Sequence, residues 1–259
     1  MLIDSHVNLH AHQYDEDREA VIDRARLAGV ELMVTICDKI PSFEAVHAIA
    51  MAQTDIWCTV GAHPHEAKDH LDLTTERLVE LAARPKVVGI GETGLDFHYD
   101  LSPRDAQAAV FRAHVAAARQ TGLPLVVHTR QADDLMGDIL EEEHASGPFK
   151  ILMHCYTSGA DLARRMAALG AWFSVSGIAT FKQAQDVRDI VADMPDDKII
   201  LETDCPYLAP VPMRGRRNEP AYLPHVLNKL AEIRGWTRAE TEQRAEDAFF
   251  ALFDRIPRP

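Results

Sequence analysis

The chain has 259 residues, 47% of them hydrophobic and 26% charged, with 27 basic against 40 acidic side chains for a formal charge of −13. This excludes wholesale disorder and leaves ample material for one sizeable core, while the acidic balance argues against a general electrostatic grip on nucleic acid. No apolar run approaches the ~20 residues of a membrane span, the opening MLIDSH lacks the pattern of a secretory signal, and four widely spaced cysteines read as reduced thiols of a cytoplasmic protein.

Short β-like runs then alternate with longer amphipathic stretches. A strand is expected over residues 2–8 and a helix over 17–28, followed by strands 31–37 and 56–62 and a helix over 73–83. Strand 87–92 precedes helix 103–121, strand 123–128 precedes helix 132–144, and strand 149–154 precedes helix 159–169. Strand 171–176, helix 183–193 and strand 198–203 complete the alternation. The proline-rich stretch 209–220 is irregular and carries Arg214, Arg216 and Arg217; helices over 221–234 and 238–253 are expected to pack outside. Runs such as VVGIGE and PLVVH are nearly continuous in apolar residues, as parallel strands covered on both faces require. Eight such units in about 250 residues are the arithmetic of a (β/α)8 TIM barrel forming a single domain over residues 1–259, with a doubly wound open sheet as the alternative.

The chemistry gathers at strand ends. His6, Glu92, His128 and His154 end expected strands, while His63 and Asp204 follow two others. In this fold those ends converge on one rim, where active sites lie. Each residue alone has an ordinary structural explanation, a hydrogen bond or an ion pair, but six potential ligands at equivalent positions point to a metal site at the C-terminal rim. Imidazole with carboxylate suits Zn, Mn or Fe, and carboxylate-rich sites also accept Mg²⁺.

The segments DSHVNL, GAHPHE, GIGETGLDF, VVHTR, LMHCYTSG, ILETDCPYLAP and RRNEPAYLPHVL occur in this order along nearly the whole chain. In them the sequence resembles the TatD family of metal-dependent DNases, within the amidohydrolase-like superfamily. The resemblance implies the same barrel and one or two divalent ions. Glu92 would bridge them, His128 and His154 would complete one site, and His6 and Asp204 would hold the other. It also implies hydrolysis of DNA phosphodiesters by metal-activated water, with single strands or 3′ ends as substrate and 3′→5′ polarity. Asp204 is the candidate proton acceptor. One departure stands out: where many members carry His-x-His on the first strand, this chain has His6-Val7-Asn8. The amide is the weaker ligand, which favours Mg²⁺ or Mn²⁺ over Zn²⁺.

His63 is expected to orient the scissile phosphate or the base beside it, with fixing the turn before Pro64 as the alternative, and His65 to be a surface residue. Arg130 is a candidate phosphate clamp, its alternative being a salt bridge across the rim. In RGRRNEP, scaffolding is favoured over substrate contact: Asn218 looks like a helix N-cap, and Arg217 has Glu219 or a carboxylate near the site as candidate partners. His10 and His12 read as loop residues, Cys155 and Cys205 as small fillers. No Ser or Cys lies in a nucleophile motif. The competing functions are a metallohydrolase of a small ester, lactone or cyclic amide, and a non-catalytic metal-binding scaffold. A monomer without membrane contact is expected.

Overall fold

In the computed structural model, which describes residues 1–258, eight parallel strands pair strictly in chain order. They are β1 (Leu2–Val7), β2 (Val30–Thr35), β3 (Ile56–Val60), β4 (Val87–Asp96), β5 (Leu125–Arg130), β6 (Ile151–Met153), β7 (Trp172–Val175) and β8 (Ile199–Leu201). The ring closes just beyond β8, where Val7 bridges Cys205. There the Asn8 amide donates to the Cys205 carbonyl at 2.9 Å and the Asp204 amide to the His6 carbonyl at 3.0 Å. Closure removes the open-sheet alternative.

Around the strands lie α1 (Arg18–Leu27), α2 (Phe43–Ala52), α3 (Thr75–Ala82), α4 (Arg104–Thr121), α5 (Asp133–Ser146), α6 (Ala160–Ala168), α7 (Gln185–Asp193), α8 (Leu223–Arg234) and α9 (Arg238–Leu252). Helix α2 is absent from the expected elements. Only Glu44 and His47 interrupt its apolar run, so no polar stripe marks an outer face. No helix of the described residues is long and apolar enough to cross a membrane.

β4 runs four residues past its expected end. A Cβ on Gly94 would lie 1.9 Å from the His128 carbonyl oxygen, and one on Gly91 2.6 Å from that of Val126. Both residues have positive φ. Glycine lets β4 press against β5 and continue to Asp96, whereas in the sequence those glycines resemble a strand terminus.

Two apolar layers form the core. One fills the space between strands and helices. The other joins Leu32, Val34, Val126, Leu152 and Ile200 to Phe249, Leu252 and Phe253 at the chain's C-terminal end. Side chains two positions apart on a strand share a face. Val126 and His128, Leu152 and His154, and Ile200 and Glu202 therefore continue one another toward the upper rim. The apolar lower layers fix the strands, and the polar upper layer rests on them.

Candidate metal centre

Glu92 sits at the middle of this upper layer, buried like His6 and His154. Its Oε1 lies 2.8 Å from His154 Nε2, 3.1 Å from His128 Nδ1 and 3.4 Å from His63 Nε2, and its Oε2 lies 3.3 Å from His6 Nε2. His6 Nε2 is also 3.6 Å from Asp204 Oδ1. The six strand-end residues thus meet. Two sets of candidate ligand atoms lie close together, His6–Glu92–His154 and His63–Glu92–His128, and His128 with His154, which the resemblance puts on one ion, face the same oxygen of Glu92. The His6 and His154 rings stack with centroids 4.1 Å apart.

This donor set fits a divalent cation. Both ring nitrogens of His6 are buried without a hydrogen-bond partner, although Nε2 lies between two carboxylates. A buried lone pair so placed is costly unless something electropositive answers it. Burial works against a charge on Glu92, yet the facing imidazoles, His154 foremost, outweigh it and hold the carboxyl well below its usual range. Burial likewise opposes charge on His154, and Glu92 and Glu202 overcome it, raising that imidazole well above its usual value. Burial pushes the Asp204 carboxyl up to about 6, against the pull of His6 and His154.

Two carboxylates missing from the sequence-based site complete it. Asp96 Oδ2 accepts from His128 Nε2 at 3.1 Å and stands 2.9 Å from His65 Nε2. Glu202 Oε1 is 3.4 Å from His154 Nδ1, while its Oε2 accepts from the Ser174 hydroxyl. In each case a carboxylate faces one ring nitrogen and leaves the other turned toward Glu92, the arrangement that orients metal-ligating imidazoles. Glu202 was findable, since it lies within the expected strand 198–203, two residues beyond Ile200 on the same face. Asp96 was hidden by the unforeseen length of β4.

His63 differs from the other imidazoles. Its Nδ1 accepts the His65 backbone N–H at 3.2 Å, which leaves the ring proton on Nε2 facing Glu92. Burial lowers its pKa to about 3, so the ring is neutral and presents a donor. His65 is a correction: its ring belongs to the rim network through Asp96. The GAHPHE loop is itself held from below, where His114 Nε2 of α4 accepts the Ala62 N–H at 3.0 Å.

Asn8 lines the cleft and donates from Nδ2 to the Cys205 carbonyl at 3.1 Å and to Asp204 Oδ1 at 3.4 Å. Arg130 is exposed at the cleft edge; the expected alternative salt bridge is absent among the described residues, and its guanidinium lies 4.8 Å from the Tyr99 ring centroid. His10 and His12 also line the cleft, His10 paired with Asp38 at 3.0 Å. Cys205 is fully buried, and Cys155, next to His154, borders the cleft. Two readings of the RGRRNEP segment need correction. Asn218 is a buried strut, donating to the Thr203 and Tyr207 carbonyls and accepting from Glu219 N–H, because the loop needs an internal partner for those groups more than the next helix needs a cap. Arg217 pairs with Asp17, since Glu219 is already held by Arg24. The open cleft above Glu92 has a volume of about 1350 Å³.

The family model for TatD related DNase matches residues 3–254. The metal-dependent hydrolase YabD of Bacillus subtilis is 40% identical over 243 residues, covering 93% of this chain and 94% of the relative. The 3′-5′ ssDNA/RNA exonuclease TatD of Klebsiella pneumoniae is 33% identical over 257 residues, covering 96% and 97%. The crystal structure of the TatD homologue YjjV from Escherichia coli K12 superposes with a TM-score of 0.91 at 27% identity, covering 99% of this chain and 98% of that one. The barrel, the converging rim residues and these similarities together establish that the chain belongs to the TatD-related DNase family.

Proposed function

We infer that this protein hydrolyses phosphodiester bonds of single-stranded nucleic acid with the help of divalent metal, removing nucleotides from the 3′ end of DNA. The observation that carries this reading is the convergence of His6, His63, His128, His154 and Asp204 around Glu92 at the floor of the cleft. The name of the Klebsiella pneumoniae relative supports the substrate and its polarity.

His6, Glu92, His128, His154 and Asp204 are the residues that would hold one or two ions, with Mg²⁺ or Mn²⁺ favoured by the carboxylates and by Asn8 in place of an imidazole. A divalent ion bound there supplies Lewis acidity and makes water nucleophilic near neutral pH. The chain's own groups do the rest. Asp204, oriented by the Asn8 amide, accepts the proton of the attacking water. His63 Nε2–H donates to an oxygen of the scissile phosphate, and the Arg130 guanidinium engages a neighbouring phosphate. A cleft of about 1350 Å³ exceeds the 300–1,000 Å³ usual for small ligands, which favours a polymer over a small ester or lactone.

The test is turnover of a 3′-labelled single-stranded oligonucleotide after chelation and after add-back of Mg²⁺ or Mn²⁺, beside a panel of esters and lactones. Stepwise loss of the 3′ label that vanishes with chelator and returns with metal supports the reading. Turnover of the panel with an intact oligonucleotide contradicts it.

A further inference from the structure

Among the described residues, nine arginines lie over aromatic rings. Seven of them also pair with a carboxylate. The two that do not, Arg130 over Tyr99 and Arg214 over Phe181, are the two that line the cleft. A guanidinium lying over a ring face keeps its N–H donors in its own plane, free for an anion. In a chain of net charge −13 that is a conspicuous place to leave positive charge unanswered.

The Arg214 pair is also held in place. Phe181 follows a short turn after β7, and Arg214 lies in the loop after β8. The two loops are locked together: Val211 N–H donates to Thr180 Oγ1 at 2.8 Å, and a Cβ on Gly177 would lie 2.2 Å from the Leu208 carbonyl oxygen. Arg188 fixes the Phe181 backbone by donating to its carbonyl at 2.7 Å. The guanidinium carbon of Arg214 then rests 3.9 Å from the Phe181 ring centroid. The same cleft is lined by Lys182, exposed and free of acid partners among the described residues, and by Tyr207, which is 55% exposed.

The neighbouring groove is unsuited to a polyanion. The groove that adjoins the cleft beyond Arg130, about 990 Å³, is lined by Asp133, Asp134, Asp186 and Asp189 with Arg130 as its cation. A strand leaving that way would meet four carboxylates. A strand leaving over the β7 and β8 loops meets Arg214 and Lys182, with Asp186, shared by the two openings, as the nearby carboxylate.

We propose that Arg214, stacked on Phe181, is a second phosphate anchor that holds the single strand away from the scissile bond and directs it out over the β7 and β8 loops, with the Tyr207 ring offered to a base. The proposal rests on the nuclease reading and adds to it a requirement for several linked nucleotides. Arg214 acts on binding and lies outside the bond-breaking step.

The experiment compares wild type, Arg214→Ala and Arg216→Ala on a single-stranded oligothymidylate of about ten nucleotides and on bis(p-nitrophenyl) phosphate. Arg216 is also exposed but lies outside the cleft lining. For Arg214→Ala, KM for the oligonucleotide is expected to rise about tenfold, the loss of one charge-assisted contact. Its kcat stays within about twofold, the slope of log KM against log salt falls by about 0.7, and turnover of the small diester is unchanged. An unchanged KM, or the same rise in Arg216→Ala, overturns the anchor while leaving the nuclease reading intact. Wild type that cleaves the small diester but not the oligonucleotide overturns both.

Discussion

His63 and His128 stand within 3.4 Å of the same oxygen of Glu92, yet their second nitrogens separate their work. His128 gives Nε2 to Asp96 and keeps Nδ1 for the centre, whereas His63 accepts a backbone N–H on Nδ1 and is left with a proton on Nε2. Replacing His63 with Gln should therefore lower kcat by about 10²-fold or more, as loss of a transition-state donor does, with little change in metal affinity by calorimetry. Equal loss of metal binding would make His63 a ligand instead. Asp96→Asn should do the reverse and weaken metal binding by about 10- to 100-fold, because the His128 ring loses the acceptor that orients it. Unchanged affinity would reduce Asp96 to a turn residue, serving the His98 and Tyr99 amides it also binds. At this scale the sequence displayed the residues that end strands, since a residue type at a strand end can be read without coordinates. Asp96 and Glu202 were not seen, because their importance lies in what they face.

The elements are built to bring those residues into register. Helix α4 packs against β4 and the turn after β3, and its fully buried His114 joins that turn to the helix, donating from Nδ1 to the Val110 carbonyl at 2.7 Å. Burial lowers the folded pKa of His114 from 6.5 to about 4, because the ring must stay neutral to accept from Ala62. Above pH 6.5 the ring is neutral in both folded and unfolded chains, and its full contribution is present. As pH falls through the window from 6.5 to about 4, the unfolded chain takes up a proton that the folded one refuses. Stability should drop by about 3 kcal/mol across that window. Urea unfolding of chelated protein at a series of pH values checks this. His114→Gln should flatten the dependence by up to one proton, and an identical slope in the variant would contradict the assignment. The helices with polar outer faces were legible, whereas α2 was lost for want of a polar stripe. The glycines of GIGETG suggested an end to β4 because a sequence does not show which neighbour a missing side chain makes room for.

The whole molecule reconciles an acidic chain with an anionic substrate by segregation. Most arginines are tied to carboxylates on the outer helices, as in Arg112 with Glu142 and Glu143 or Arg165 with Asp138 and Glu141, and these surface pairs neutralise one another. The cleft keeps Arg130 and Arg214 unpaired above a floor that gathers carboxylates and imidazoles around a place for cations. Net charge thus says little about the partner here, while the order of the βα units was enough to foresee the barrel because connectivity alone fixes the order of strands around the ring. The central claim is that residues scattered from His6 to Asp204 form one cation-binding centre with Glu92 as its common member. Calorimetric titration of chelated protein with Mn²⁺, in wild type and in Glu92→Gln, tests it most directly. The account predicts binding of one or two ions by wild type and affinity weakened by about 10²-fold or more in a folded Glu92→Gln variant. Undiminished binding by that variant, or no binding by wild type, would contradict it.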